Sequence, residues 1–478
     1  MLSSYAAAVP DAVTILYVIL GTFSGALLCL IPALHIYNVA GIAMLLWATA
    51  RHLIPYYALA PFFMSLVVSY SFLNTIPMTF LGAADESAGA TLLPSLSLVT
   101  KGRGQDAALL TGLGTMAGVL VLILLYPFFW YIWPYIARAT GPHLHWILGL
   151  VIAHYIMSEW PKGAGRGETP FKRFREAWRN CFAGILTFTL AAVFGLIYTA
   201  KPIMPVESSF QNIMPVFIGF FAIPSIIQTL ISDYRPPRQH ISRKINAGWE
   251  DFGFGAVPGF VGGMLAAYLP AVTAGIGAMI AGHVTNHRNI SRAEFRDPQS
   301  PGEIKHLHTP EMYYRQERLF LISGGMIKIM YYVGAFLMLF ILTDLTPYGT
   351  GRGGLTFILR PVFTAEPGDF PVMLGTILLS GSLAFLLLIV STKLMVCIVH
   401  RLNLKLIYIS SLILVFLIIY AVGGGWAGIT VSLATTCIGM IPVFYGCRRS
   451  HCMAVLLVPI ALNMAGYGDA VARFLRLI

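Results

Sequence analysis

The sequence predicts an all-α polytopic membrane protein built as two inverted repeats, with about ten transmembrane helices and four helical hairpins broken by glycine and proline. Three observations predict it. The 478 residues are 57% hydrophobic and only 11% charged, with a mean hydropathy of +0.76, far from the composition of a soluble domain. Runs such as "LLTGLGTMAGVLVLILLYPFFWYIW" (109–133) and "LIYISSLILVFLIIYAV" (406–422) match or approach the ~20 apolar residues that cross ~30 Å of hydrocarbon. Two stretches nearly half a chain apart read alike: "GALLCLIPAL" from Gly25 and "GMLAAYLPAV" from Gly263 each set a glycine seven residues ahead of proline-alanine.

In chain order, the first half (1–250, including a cytoplasmic linker) carries apolar spans near 53–74, 107–130, 144–160, 181–200 and 212–232. The second half (251–478) carries them near 319–343, 371–399, 406–422, 426–446 and 451–468. Ahead of each set lies a Gly/Pro-interrupted region (11–50 and 252–282), and between its first two crossings lies another (76–99 and 345–363). We read these four as the broken hairpins. Five crossings per half force the second half to start on the opposite side of the membrane, the inverted-repeat plan of many secondary transporters.

The net charge of +11 raises nucleic acid as a partner, but its distribution answers the question. With 161–180 placed in the cytoplasm, the loops 100–106, 233–251, 283–318, 400–405 and 447–450 follow, and together they hold 22 of the 31 lysines and arginines. Membrane proteins gather basic residues in this way, so no nucleic acid is needed. Arg473 and Arg476 run against the rule, and the last span is the least secure. The start "MLSSYAAAVPD" lacks the basic region of a cleavable signal, so the first span is read as mature. Six scattered cysteines without a CxxC are read as small apolar filler.

Proline removes a backbone donor and glycine admits close approach, so each interrupted span is expected to split into half-helices with free polar ends. Their N-termini suit an anion, and unwound carbonyls suit a cation. The first break, "IPALHIYNVAG" (31–41), offers Pro32, His35 and Asn38; the second, "LPAVTAGIGAMIAG" (269–282), offers Pro270 and Thr273. The other hairpins enter through "LNTIP" (73–77), with Asn74 and Thr75, and "TDLTP" (343–347), with Asp344. Pro32, His35, Asn38, Asn74, Thr75, Pro270 and Thr273 are the candidate substrate-binding residues, and the two breaks are expected to meet at the centre. Asp85 and Glu86 at the tip "GAADES", with Asp344, are the candidate cation-coupling carboxylates. Lys328, in "LISGGMIKIMYYV", is read as snorkelling to the interface.

The histidines raise a metal reading: His283 and His287 are four apart, and H-x-H pairs stand at 143/145 and 306/308. "HVTNH" lacks the glutamate of a zincin helix, and a metalloenzyme is the weakest of the three functional readings. No Walker A, Rossmann or G-x-S-x-G motif lies in a strand-to-helix context, which argues against ATP-driven pumping.

The ordered set "GALLCLIPALHIYNVAG", "FLGAADESAGATLLPSLSLVTKGRG" (80–104), "IMPVFIGFFAIPSIIQTLIS" (213–232), "RLFLISGG" (318–325) and "RRSHCMAVLLVPI" (448–460) resembles the large permease subunit of the tripartite tricarboxylate transporters, closest to its stand-alone relatives. The resemblance implies cation-coupled uptake of carboxylates, with a small membrane subunit and an extracytoplasmic binding protein as partners. It also marks a departure: where the family commonly has Pro-Gly at the breaks, this chain has Pro32-Ala33 and Pro270-Ala271. The leading expectation is therefore a Na⁺- or H⁺-coupled permease for organic anions in the plasma membrane of a prokaryote. No cofactor is expected beyond Na⁺ as a candidate coupling ion, and a homodimer is expected. The alternative is a carrier or flippase for an anionic lipid such as a polyprenyl phosphate.

Overall fold

A computed structural model describes residues 11–32, 34–50, 54–83, 89–161, 163, 165, 168–201, 203, 209–232, 235–242, 244–245, 247–282, 310–341, 353–360, 362–366 and 368–477. Among these residues there are helices and no strands. In order they are α1 (Ala12–Leu28), α2 (Ile36–Thr49), α3 (Tyr56–Leu73), α4 (Gly89–Thr100), α5 (Gly104–Thr140), α6 (Leu144–Met157), α7 (Pro170–Ala200), α8 (Ser209–Phe217), α9 (Ile223–Ser232) and α10 (Trp249–Tyr268). There follow α11 (274–282), α12 (Pro310–Ile329), α13 (Ala335–Leu337), α14 (Gly354–Leu359), α15 (Asp369–Ile398), α16 (Leu404–Val422), α17 (Gly425–Tyr445), α18 (Ala454–Met464) and α19 (Gly468–Phe474). Eight of the described helical runs are long and apolar enough to cross a membrane, nine if the bent run from Arg449 to Phe474 counts as one span. Nine of the ten expected spans thus have a counterpart. The region 144–160 instead holds the 14-residue α6, which follows α5 through a single 3₁₀ turn at Gly141–His143.

The two expected breaks are present. α1 is capped by Asp11, whose Oδ1 accepts from the Thr14 N–H at 2.8 Å, and it ends at Leu28; the described residues before Ile36 (29–32, 34 and 35) are not helical. α10 stops at Tyr268, and α11 resumes at 274.

Three π-helical segments widen the spans: Pro77–Leu81 continues α3, Ile218–Ala222 joins α8 to α9, and Met330–Gly334 continues α12. Two of them have a visible cause. The ring of Pro77 clashes with the carbonyl four residues back, at Leu73, and that of Pro224 does so at Phe220, so each ladder shifts to the wider register.

By internal contacts the chain divides into two compact units, and α5 runs from one into the other. The first holds residues to Trp133, then Tyr234–Tyr268 and Val272–Leu404. Its innermost spans are the two that carry π segments: of the most apolar 18 residues, 94% are buried in Tyr56–Leu81 and 89% in Tyr314–Phe340, against 28% in Asp369–Arg401. Small residues let neighbours approach these spans closely. A Cβ on Gly25 would lie 2.4 Å from the Leu66 carbonyl oxygen on α3, and one on Gly263 would lie 2.5 Å from Met330 Cβ after α12. Gly21 and Gly259, one turn earlier, meet Phe62 and Ser323 in the same manner. The two sequence-similar stretches therefore share a job: each seats its helix, α1 or α10, against a π-bearing span through a small-xxx-small face. Thr22, Ser380 and the Ser65 carbonyl, linked at 2.8 and 3.0 Å, fasten α1, α15 and α3 together.

At one end of this unit the linker is pinned rather than loose. Gln239 accepts from the Gly104 N–H at 2.9 Å and donates to the Val99 carbonyl at 3.0 Å, while the His240 N–H donates to the Gly102 carbonyl at 2.9 Å. Asp251 takes Arg315 at 2.7 Å and Arg318 at 3.1 Å.

The second unit holds Pro134–Asp233, Leu269–Ala271 and Lys405–Ile478. Its core joins Phe188 and Ala191 of α7, Phe220 of the π segment, Val431 of α17 and Val455 of α18. Glu159, after α6, accepts from the Arg448 N–H at 2.9 Å and lies 3.6 Å from His451 Nε2. Cys29, Cys181, Cys447 and Cys452 are buried free thiols and Cys397 and Cys437 exposed ones, in keeping with their reading as filler.

Candidate functional site

The facing sides of α3 and α12, with the turns that continue them, gather a set of buried polar side chains in the first unit. Ser69 and Ser71 on α3 and Asn74 and Thr75 just after it are buried, and Thr79 in the π segment shares a 2.8 Å hydrogen bond with Ser95 of α4. On α12, Lys328 is buried, with 1% of its surface exposed. Its Nζ donates to Asn74 Oδ1 at 3.2 Å and to Thr75 Oγ1 at 2.9 Å.

This corrects the snorkelling reading. Lys328 lies ten residues beyond Arg318, and at 1.5 Å per residue that places it about 15 Å along the helix, half the thickness of the hydrocarbon. A lysine side chain cannot span that distance to water, so it turns inward to polar oxygens. Placing an ammonium at such a depth costs about 3 kcal/mol on insertion scales, which makes the position a candidate functional one.

One turn further along each span stands a ring. Tyr332, four residues after Lys328, and Tyr70, four before Asn74, face His35 and Tyr37 of the first break. Ring centroids are 5.0 Å apart for His35–Tyr37, 5.5 Å for Tyr37–Tyr332, 6.1 Å for His35–Tyr332 and 6.4 Å for Tyr70–Tyr332. The Tyr70 hydroxyl reaches the Leu34 carbonyl at 3.4 Å. His35 is the N-cap of α2: its Nδ1 accepts from the Tyr37 N–H at 3.2 Å, and its Nε2 lies 3.2 Å from the Tyr332 hydroxyl. Gly354, at the start of α14, packs on the Tyr37 ring, where a Cβ would lie 2.5 Å away. His35 and Tyr37 are partly exposed, so the cluster is reachable from outside the fold.

Of the sequence-predicted residues, the structure brings His35, Asn74 and Thr75 into one neighbourhood, joined by Lys328 and Tyr332. Pro32 and Asn38 flank it; Asn38 is buried in the first turn of α2 and donates its N–H to the His35 carbonyl at 2.9 Å. Pro270 and Thr273 stand at their own break, where the Thr273 carbonyl accepts from Ile276 and Gly277, both at 3.1 Å, and opens α11. Ala271, which follows Pro270, takes a left-handed φ of +58°. Asp85, Glu86 and Asp344 lie outside the described residues, as do His283, His287, His306 and His308. Among the described residues no group of three or more His, Cys, Asp or Glu side chains is placed to hold a metal ion. Lys328 was visible in the sequence and its depth calculable; Tyr70 and Tyr332 carried no pattern that set them apart from core aromatics.

Comparison with known proteins follows the same lines. The model of the tripartite tricarboxylate transporter TctA family matches residues 15–454. An uncharacterized protein of Methanocaldococcus jannaschii is 22% identical over 465 residues, covering 94% of this chain and 98% of its own. No solved structure matches.

Proposed function

This chain belongs to the tripartite tricarboxylate transporter TctA family, a family of membrane transporters rather than enzymes, and on that premise we propose that it is a secondary permease for organic anions, with carboxylates as the substrate class. The observation that carries the reading is Lys328, a positive charge buried in the bilayer-spanning interior and held by Asn74 and Thr75. An ammonium held at this depth has the charge and the donors that a carboxylate group requires. Asn74 and Thr75 fix the ammonium in place, and the amide and hydroxyl beside it supply further hydrogen-bonding atoms to a carboxylate. The start of α2 adds a partial positive charge nearby.

Coupling to Na⁺ or H⁺ follows from energetics. Helix N-termini stabilise an anion by at most ~2 kcal/mol each, less than the cost of burying its charge, so a co-transported cation supplies the remainder. Asp85, Glu86 and Asp344 remain candidates to hold it. The paired Gly-xxx-Gly faces and the π segments that follow Thr75 and Lys328 by two residues support two structurally related halves, and the odd number of crossings expected in each supports their inversion. In this reading the protein works in a prokaryotic plasma membrane, with or without a small membrane subunit and a binding protein.

The test is uptake by proteoliposomes over a panel of di- and tricarboxylates, with imposed Na⁺ and H⁺ gradients. Accumulation of a carboxylate that collapses when both gradients are dissipated is expected. Accumulation that persists without either would refute coupled transport, and a preference for a long-chain isoprenoid phosphate over every carboxylate would replace this reading with that of a lipid carrier.

A further inference from the structure

We propose that His35 is a proton-binding switch that caps α2 only while its imidazole is neutral, so that an anion and a proton bind to the site together; the second clause rests on the permease reading above. The geometry sets the starting state. Nδ1 has one lone pair, and the Tyr37 N–H occupies it at 3.2 Å. The ring proton is then on Nε2, which donates to the Tyr332 hydroxyl at 3.2 Å. The neutral imidazole thus satisfies one of the otherwise open N–H groups at the start of the 14-residue α2.

A proton arriving from water must add at Nδ1. It displaces the Tyr37 N–H from its acceptor and places a positive charge at the positive end of α2. The groups facing His35 decide how costly that is. Among the described residues the rings of Tyr37 on α2, Tyr70 on α3 and Tyr332 in the π segment face His35, and the Lys328 ammonium stands one helical turn from Tyr332. At the start of α14, Gly354 packs against the Tyr37 ring. Lys328 and the α2 N-terminus both oppose imidazolium.

An anion beside Lys328 reverses the balance, because its negative charge stabilises the imidazolium as well. By linkage the proton then favours the anion to the same degree. Protonation also frees the first turn of α2 to move, at the break that opens the hairpin. Binding of charge and release of the cap become one event, with His35 rather than a carboxylate as the proton carrier.

The discriminating variant is His35→Asn, because asparagine is a good N-cap but does not titrate. Two measurements are made on the full chain in detergent. Hydrogen exchange of the amides in the first turn of α2, corrected for the intrinsic pH dependence, needs no substrate; opening in the wild type is expected to rise about fivefold between pH 8 and pH 5, the loss of one cap, and to stay flat in the variant. Calorimetry of citrate binding near pH 7, in buffers of different ionisation enthalpy, is expected to show close to one proton taken up per citrate in the wild type and none in His35→Asn. A wild-type first turn whose opening is independent of pH, or an unchanged proton count in the variant, would overturn the switch. Absence of carboxylate binding with the exchange response intact counts against the permease reading and the linkage, and leaves the cap release established.

Discussion

Lys328 donates to Thr75 across 2.9 Å, and each of the two residues stands two positions ahead of a π-helical segment on its own span. The widened turns thus begin beside the point where the two spans exchange their polar contact. Such bulges recur at functional sites because they re-aim side chains without ending the helix.

Replacing the charge separates function from fold. Lys328→Met keeps length and volume while removing a buried ammonium, and it leaves the Asn74 and Thr75 oxygens without that donor, at a cost of about 1–3 kcal/mol in stability. The variant is expected to fold with a lowered melting temperature and to lose carboxylate uptake by about a hundredfold or more, the cost of roughly 3 kcal/mol of lost charge interaction. Uptake at wild-type rates would remove Lys328 from the site.

The second break carries strain that a single substitution relieves. Ala271 has a φ of +58°, a region that disfavours any residue with a Cβ. Ala271→Gly removes that clash, offset in part by the greater freedom of glycine in the unfolded chain, for a net gain of about 0.5 kcal/mol. Ala271→Val should lower stability instead. Thermal unfolding of the two variants side by side checks the sign, and equal melting temperatures would contradict it.

Close packing predicts a sharp contrast among glycines. Gly25→Ala and Gly263→Ala place a methyl 2.4 Å from Leu66 O and 2.5 Å from Met330 Cβ, and each is expected to cost about 1–3 kcal/mol as α1 or α10 is pushed off its partner. Gly149 on α6 has nothing within 4 Å of its Cβ position, so Gly149→Ala should be neutral or stabilise by up to about 1 kcal/mol through helix propensity. The yield of monodisperse protein and the melting temperature report both.

How much of this was legible depends on the range of the signal. Spans such as 181–200 and 406–422 follow from local apolar length, and the breaks at Pro32 and Pro270 follow from local backbone chemistry, so the sequence exposes both. The burial of Lys328 needed only a depth estimate from Arg318. The union of His35 with Tyr70 and Tyr332 joins positions as far as 297 residues apart, and no periodicity in one chain encodes such a contact. Likewise the shared spacing of Gly25 and Gly263 was readable, but not that both serve as seats for π-bearing spans.

Glu159 predicts a dependence on pH. Burial alone raises its pKa, but the contacts with His451 and the Arg448 N–H and the charges of both residues outweigh it, and the carboxyl sits below its ordinary value of 4.5. A depressed carboxylate contributes stability above its unfolded pKa and loses it as the pH falls through the folded one. Glu159→Gln should therefore destabilise by about 1–2 kcal/mol at pH 7, with the gap to the wild type closing below about pH 4. A gap that stays constant down to pH 3.5 would show that ionisation plays no part.

The orientation of the chain follows from where its charge is held. The segment 161–180, which runs from beyond α6 into the first turns of α7, carries six basic residues, and 233–251 carries four in the linker pinned by Gln239 and His240. Lysine and arginine in short loops are retained on the cytoplasmic side, so both segments should lie there, with the breaks that begin near 11 and 252 opening to opposite faces. Single cysteines at positions 170 and 243, in a background where the exposed Cys397 and Cys437 and the four buried cysteines are replaced, allow a direct measurement. An impermeant thiol reagent applied to intact cells should leave both unlabelled, and the same reagent on inside-out vesicles should label both. Labelling of either from outside would overturn the topology, and with it the assignment of opposite openings to the two halves.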